Sequence, residues 1–340
     1  MKKKRVVVVG GGFAGSTVAR KLEKYFEVIL IDTKNYFEFT PGILRTLVEP
    51  SHIKKIQVLH SHYLKHSEII TGKVSEISKN MVLIGKRKIN FDYLIISSGS
   101  KYELPIKEQE VIIATRAEHL RSYSRRLEKS ENILIIGGGL VGIELASEIT
   151  THYPIKKITL IQGDKELIPR NNRKTGEYAF KFLRKRNINI IFNKFIHNLD
   201  YEKKEYDLIF LCTGIKPNFE FMKKNFSKNL NENNQIKVND FLQVEGFKNI
   251  FAAGDISDIK DEKTAQNAEK QACLAAKNIC ALEKGKELEK YKTKKRIIVI
   301  SLGKYNGILE FGNFVFSGII PGLLKTIIER REMMKLRKAI

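Results

Sequence analysis

One glycine pattern occurs twice in this chain, and it constrains the fold more than any other feature. The apolar run 133–136 reads as a short buried strand. Gly137, Gly139 and Gly142 follow at the spacing G-x-G-x-x-G, and an amphipathic helix continues through Leu145 and Ile149. The first glycine turns the chain tightly, the second lets backbone approach a pyrophosphate, and the third lets helix pack on strand. The pyrophosphate then lies on the free N–H groups of the helix N-terminus. The chain opens with the same arrangement: residues 6–9, then Gly10, Gly12 and Gly15, then a helix through Val18 and Leu22. Phe13 and Ala14 in the first turn and Val141 in the second fall inside the fingerprints and count with them as cofactor contacts. Two copies in strand–turn–helix context imply two dinucleotides on one chain, FAD and a nicotinamide cofactor, NADH or NADPH.

The strand ends carry the next signals. A strand over 28–31 ends at Asp32, about 20 residues past the glycines, where a carboxylate accepts from a ribose hydroxyl; Thr33 adjoins it. The aromatic loop Asn35-Tyr-Phe-Glu-Phe-Thr-Pro41-Gly42 either brings backbone to a flavin ring at Pro41 or forms a plain turn. Strands at 69–70, 81–84 and 93–96 follow, the last running into Ser98 and Gly99, small enough to pass beside a cofactor. Residues 101–107, with Pro105, read as a crossing linker, and a helix over 117–127 leads into the second fingerprint.

There the strand 158–162 ends in Gln162. A carboxylate would favour NADH; a neutral Gln162 near Lys165 and Arg170 leaves NADPH open. A helix over 176–186 and strands at 189–192 and 208–211 complete the unit, which ends in Cys212-Thr213-Gly214. The segment 249–255 then returns to the first domain and ends in Gly254-Asp255, an arrangement suited to the ribityl hydroxyls of FAD. A helix over 264–281, with Ala265 in its first turn, points its N-terminal N–H groups at the flavin pyrimidine edge, where reduction accumulates charge.

The fold class is therefore α/β. Two Rossmann-like domains are expected, the nicotinamide domain inserted into the FAD domain, plus a small C-terminal α+β region facing a membrane. The expected divisions are 1–106 and 217–289 for FAD, 107–216 for NAD(P)H, and 290–340 for the tail.

Composition bounds the partners. At 340 residues, 42% hydrophobic and 29% charged, this is an ordinary globular chain. The net charge of +23 would suit nucleic acid or an anionic membrane, but the lysines are spread along the chain, as solvated faces would be. No nucleic-acid partner is expected. Cys212, Cys273 and Cys280 have neither disulfide nor metal spacing, so a reducing compartment and no metal are expected. His60, His62 and His66 read as a solvated segment. Basic residues 2–5 before an apolar run mimic a signal peptide, but that run ends at once in the fingerprint. No stretch reaches the roughly 18 apolar residues of a membrane span. The expected location is cytoplasmic, peripheral on the cytoplasmic face of a membrane.

From residue 318 onward, Ile319, Ile320, Leu323, Leu324, Ile327 and Ile328 share one helical face, with Lys325, Arg330, Arg331, Lys335, Arg337 and Lys338 around it. An interfacial helix on an anionic membrane fits this better than packing on the body or in a homodimer, since buried tails seldom need so many cations.

Residues 33–58 hold no cysteine, which argues against reduction of disulfides at the flavin. The alternatives are a soluble reductase of ferredoxin, rubredoxin or oxygen, an enzyme like sulfide:quinone oxidoreductase, and a cofactor-binding signalling or structural protein without turnover, against which intact Asp32, Glu144 and Asp255 argue. The fingerprints, Cys212-Thr-Gly-Ile-Lys-Pro217, Leu242-Gln-Val-Glu-Gly246 with Ala253-Gly-Asp255, and Ser301-Leu-Gly-Lys-Tyr-Asn-Gly307 resemble the ferroptosis suppressor protein and apoptosis-inducing-factor-like branch, close to type II NADH dehydrogenases. The resemblance covers nearly the whole chain. It implies an FAD-containing NAD(P)H:quinone oxidoreductase at a membrane surface, without proton pumping. It also implies that Glu144 lies beside the nicotinamide and that Ala265-Gln266-Asn267-Ala268 lines a quinone pocket. Where the family often carries a second Gln, this chain has Lys270, followed by Gln271.

Overall fold

The computed structural model describes residues 3–101, 111–113, 120–200, 202–293 and 297–338. Each fingerprint opens a five-stranded, all-parallel sheet. In the first, the order is Ile250–Ala252, Tyr93–Ile96, Arg5–Val9, Glu27–Asp32, Ser67–Thr71. In the second it is Val111–Ile113, Leu208–Leu211, Asn132–Ile136, Lys157–Ile161, Asn189–Ile191. Central strands such as Val6–Val9 and Ile133–Ile136 are apolar at every position because both faces of each parallel sheet are covered, by helices on one side and, in the first unit, by the antiparallel strands Val74–Ile77, Met81–Ile84 and Arg87–Asn90 on the other. Val6, Val8 and Leu30 pack with Val18 and Leu22 of the helix Phe13–Leu22 and with Ala272, Ala275 and Ile279 of the helix Ala265–Glu283.

The chain crosses between the sheets twice, and the crossings hold each other. Ser100–Lys101 pairs antiparallel with Lys216–Pro217. Ser98 Oγ donates to the Asn218 carbonyl at 2.8 Å, and Asn218 returns a bond to the Ser98 carbonyl at 2.9 Å. Most of the linker expected over 101–107, with Pro105, lies outside the described residues. So do 117–119 of the next helix, seen as Leu120–Lys129.

The aromatic loop after Asp32 contains a short strand, Tyr36–Glu38, paired with Gln57–Leu59. The helix expected from 176 begins three residues earlier, as Arg173–Arg184, because the Asn172 side chain caps it by accepting from Lys174 N. The tail is an antiparallel meander, Ile297–Ser301, Gly307–Phe311 and Phe314–Gly318, followed by the helix Ile319–Arg337. The phenylalanines of 311–316 thus belong to two strands joined by a tight turn.

That helix is turned opposite to what an apolar face ordinarily does. Glu329, Met333 and Leu336 are buried against the body, while Ile319, Ile320, Leu323, Ile327 and Ile328 are exposed; Leu324 lies between. Phe311, Phe314 and Phe316 of the meander are exposed as well. Among the described residues no helix is long and apolar enough to cross a membrane.

Candidate functional site

The two fingerprint turns are built alike. Gly10 has φ +98° and Gly137 has φ +110°, and a Cβ on either would stand 2.3 Å from a carbonyl oxygen, that of Ser97 or of Cys212. Added at Gly15 or Gly142, it would stand 1.7 Å from the Gly10 oxygen or 1.9 Å from the Gly137 oxygen, so each helix sits directly on its own turn. Gly12 and Gly139 behave differently: nothing lies within 4 Å of a Cβ there. They are the N-caps of the helices Phe13–Leu22 and Leu140–His152, and neither helix has a side-chain cap. Both N-termini therefore offer uncapped N–H donors and positive dipole ends to an open cradle, which fits a dinucleotide pyrophosphate. Phe13 packs edge-on against Phe37 and Phe39 at 5.1 and 5.6 Å, with Ala14 buried beside it; Val141 is half-buried.

At the end of the first strand–helix–strand unit, Asp32 Oδ2 lies 3.3 Å from Nε2 of His60, whose Nδ1 lies 2.6 Å from the Tyr63 hydroxyl. Burial works to raise the Asp32 pKa, but the His60 hydrogen bond and Lys34 outweigh it and hold the carboxyl below its ordinary value. His60 is fully buried, which corrects its reading as part of a solvated segment; only His62 and His66 are exposed. Thr33 is exposed beside Asp32. Gln162 holds the matching place in the second unit. It is 7% exposed, accepts from Gly138 N at 2.9 Å, and donates to Asp164 at 3.3 Å and to the Glu166 carbonyl at 3.2 Å.

Asp255 accepts from Ser100 Oγ at 2.6 Å. Gly254 N donates to Gln271 Oε1 at 2.8 Å, so a glutamine buried in the following helix fixes the Gly–Asp turn. That helix starts at Ala265, half-buried, with Thr264 as its cap; Gln266 is exposed and Lys270 half-buried. Lys263, just before it, donates to the Ser257 and Ile259 carbonyls at 2.6 and 3.2 Å; burial lowers its pKa against the pull of Asp255, Asp258 and Asp261. Ser98, Gly99 and Pro41 are half-buried, and Thr213 and Gly214 are exposed after their strand.

Glu144 points from the second fingerprint helix into the tail, where it accepts from Ser301 N at 2.9 Å and from the Lys325 ammonium. Lys325 is thus an internal partner, which corrects its expected place among the outward cations. Lys335 is also paired, with Glu332 at 2.6 Å, and Arg337 donates to the Lys54 and Lys55 carbonyls at 2.7 and 2.9 Å. Two further buried pairs tie these two helices to the segment 43–52: Arg45–Glu148 at 2.9 Å and His52–Glu329 at 3.1 Å. Burial alone would lower the Arg45 pKa; Glu148 beside it raises it beyond the ordinary value. Pro41, Arg45, Glu148, Ser301, Lys325 and Glu329 all line one small cavity. Helical spacing could have found Glu148, one turn after Glu144. Arg45 and His52 carry no local signal, since their partners lie more than 100 residues away.

Cys212 is buried, and burial pushes its thiol up to about 12, while Cys273 and Cys280 are half-buried and free. Among the described residues no three His, Cys, Asp or Glu side chains group as metal ligands.

Comparison with known proteins agrees with this geometry. The pyridine nucleotide-disulphide oxidoreductase family matches residues 4–272. Apoptosis-inducing factor homolog B of Dictyostelium discoideum is 35% identical over 347 residues, covering 91% of this chain and 90% of the relative. Ferroptosis suppressor protein 1 of Mus musculus is 32% identical over 350 residues, covering 94% and 92%. In fold, the chain superposes on sulfide:quinone oxidoreductase of Aquifex aeolicus with TM-score 0.86 at 21% identity, covering 99% of this chain and 92% of that one. For NDH2 of Plasmodium falciparum in complex with NADH the TM-score is 0.84 at 15% identity, covering 99% and 98%. Two cradled fingerprints, the Gly–Asp turn and these matches together make the chain a member of the pyridine nucleotide-disulphide oxidoreductase family, a flavoprotein oxidoreductase that binds FAD and NAD(P)H.

Proposed function

We propose that this flavoprotein is an NAD(P)H:quinone oxidoreductase that works on a membrane surface, on its cytoplasmic face, without pumping protons. The observation that carries the reading is the reversed C-terminal helix: two of its charged groups, Lys325 and Glu329, turn inward to Glu144 and His52, and its isoleucines and Leu323 turn outward beside exposed phenylalanines. A contiguous exposed apolar face marks an interaction surface, and a quinone with a long tail resides in lipid. Arg330, Arg331 and Lys338 are exposed around this face. Each would add about 1 kcal/mol near anionic lipid, less at high salt.

When bound, FAD would supply hydride acceptance from the nicotinamide and electron transfer to the acceptor. In this reading the first fingerprint with Asp32 and Asp255 holds FAD, the second with Gln162 holds the nicotinamide dinucleotide, and the divisions fall at 1–106, 107–216, 217–289 and 290–340. Glu144, fixed by Ser301 and Lys325, borders the nicotinamide. Gln266 and Lys270, on the first turns of the helix Ala265–Glu283, face the acceptor.

The test pairs acceptors with membranes. Purified protein should oxidise NADH or NADPH with a short-chain quinone faster than with a disulfide or oxygen. It should sediment with anionic liposomes at low salt. A variant carrying Ile320→Ser, Leu323→Ser and Ile327→Ser should lose sedimentation and long-chain quinone turnover while keeping short-chain turnover. Intact protein that stays in the supernatant refutes the membrane half. If the same variant instead turns a dimer into a monomer, the face is a homodimer contact.

A further inference from the structure

Behind the first fingerprint turn lies a hydrogen-bonded chain, Tyr63–His60–Asp32, that cofactor binding in general does not require. The His60 side chain has no exposed surface. Its Nδ1 lies 2.6 Å from the Tyr63 hydroxyl and its Nε2 lies 3.3 Å from Asp32 Oδ2. The carboxylate is an acceptor only, so Nε2 must carry the proton that joins the two. A neutral imidazole then offers Nδ1 as an acceptor, and the Tyr63 hydroxyl donates into it. The backbone holds the same register, His60 N donating to the Asn35 carbonyl at 3.0 Å. The fit leaves no slack at Gly11, where a Cβ would stand 2.5 Å from Asp32 Oδ2 and 2.6 Å from the His60 ring. On the other oxygen, Oδ1, Lys34 N and Thr33 Oγ1 lie at 3.4 Å.

We propose that His60 is a positioning residue for FAD: its Nε2–H fixes the rotation of the Asp32 carboxylate so that the remaining lone pairs meet the adenosine ribose hydroxyls. Tyr63 sets the tautomer that makes this possible. The proposal rests on FAD, not the nicotinamide cofactor, occupying the first fingerprint. A carboxylate already held in its binding rotamer loses little freedom when the ligand arrives, and that preorganisation appears as slower release. Second-layer donors of this kind act through the group they orient.

The experiment follows release of FAD from holoenzyme after dilution, by flavin fluorescence, together with the melting temperature of each variant. His60→Leu should release FAD about tenfold faster, the scale of one lost hydrogen bond to a charged group. His60→Gln, whose amide can still donate to Asp32, should stay within about threefold of the native rate. Tyr63→Phe should fall between the two, because Nδ1 loses the donor that fixes the tautomer. Asp32→Asn is the control. If it leaves release unchanged, the ribose assignment itself fails, and the proposal with it. If Asp32→Asn speeds release but His60→Leu does not, the positioning role alone is wrong. Equal acceleration by Leu and Gln, tracking equal losses in melting temperature, would reduce His60 to packing and also overturn the proposal. Should His60→Leu not fold, Tyr63→Phe against His60→Gln decides: a native rate in Tyr63→Phe overturns it.

Discussion

Lys325, on the C-terminal helix, donates to Oε1 of Glu144, on the second fingerprint helix, and the two side chains are 17% and 14% exposed. The pair ties the segment with the outward apolar face to the second fingerprint helix, Leu140–His152. Ser301 joins them, donating to Glu144 from its backbone and standing 3.1 Å from the Lys325 ammonium with its hydroxyl.

Removing one member of this pair should cost more than removing both. A lone charge in an enclosed site has lost water and gains no partner. Because the pair is not fully sealed, Lys325→Met alone should cost about 2–3 kcal/mol, below the 3–5 kcal/mol of a fully buried pair. Adding Glu144→Gln should restore part of that, with a coupling of about 1–2 kcal/mol. Urea melts of the four proteins measure it, and purely additive losses would show that the contact carries no energy.

Replacing Asp255 with Ala should release flavin. The carboxylate sits on the Gly254 turn that Gln271 holds from behind, already bonded to Ser100. Flavin absorbance per protein, read on the purified variant, should fall well below one. A full yellow complement would remove Asp255 from the FAD site.

Gln162→Glu should shift preference toward NADH. A carboxylate there repels a 2′-phosphate and accepts from a 2′-hydroxyl, about 1–3 kcal/mol in all. The ratio of kcat/KM for NADH to that for NADPH should rise roughly tenfold or more, by 1.36 kcal/mol per decade. The same change loses the amide donor to Asp164 and the Glu166 carbonyl, so some thermal stability should go with it.

The seat of the C-terminal helix should be sensitive to pH through Glu269. Burial raises this carboxyl, and the Glu332 carboxylate facing it from the C-terminal helix raises it further, to about 7, against Lys335 and Arg20. Its ordinary value is 4.5, so between about pH 4.5 and 7 the native state keeps a proton that the unfolded chain has lost. Stability from this group is therefore fully present below that window and is lost as pH rises through 7. Glu269→Gln, neutral at every pH, should flatten the melting temperature between pH 5 and 8 and raise it at pH 8. An unchanged slope would place the titration elsewhere.

The sequence by itself determined the parts of this protein whose cause is local. A turn at Gly10 or Gly137 needs a positive φ and no Cβ, and a helix on that turn needs Gly15 or Gly142. These demands are met within six residues, so both fingerprints, their sheets and the two dinucleotides could be read directly. Asp32 was legible as a strand end about 20 residues past its glycines, and Asp255 as the residue after Gly254 at the end of a short strand. Tertiary structure decided whatever depends on partners far along the chain. Nothing near His60 announces Asp32, 28 residues away, so three neighbouring histidines read as solvated. Helical periodicity found the apolar face of the tail, but the direction of that face was set elsewhere. Glu144, 181 residues before Lys325, and His52, 277 before Glu329, offer hydrogen-bonding partners inside the body. Met333 and Leu336 supply the buried apolar contact, and Lys325 and Glu329 beside them can be enclosed because Glu144 and His52 partner them, which leaves the isoleucine face outward.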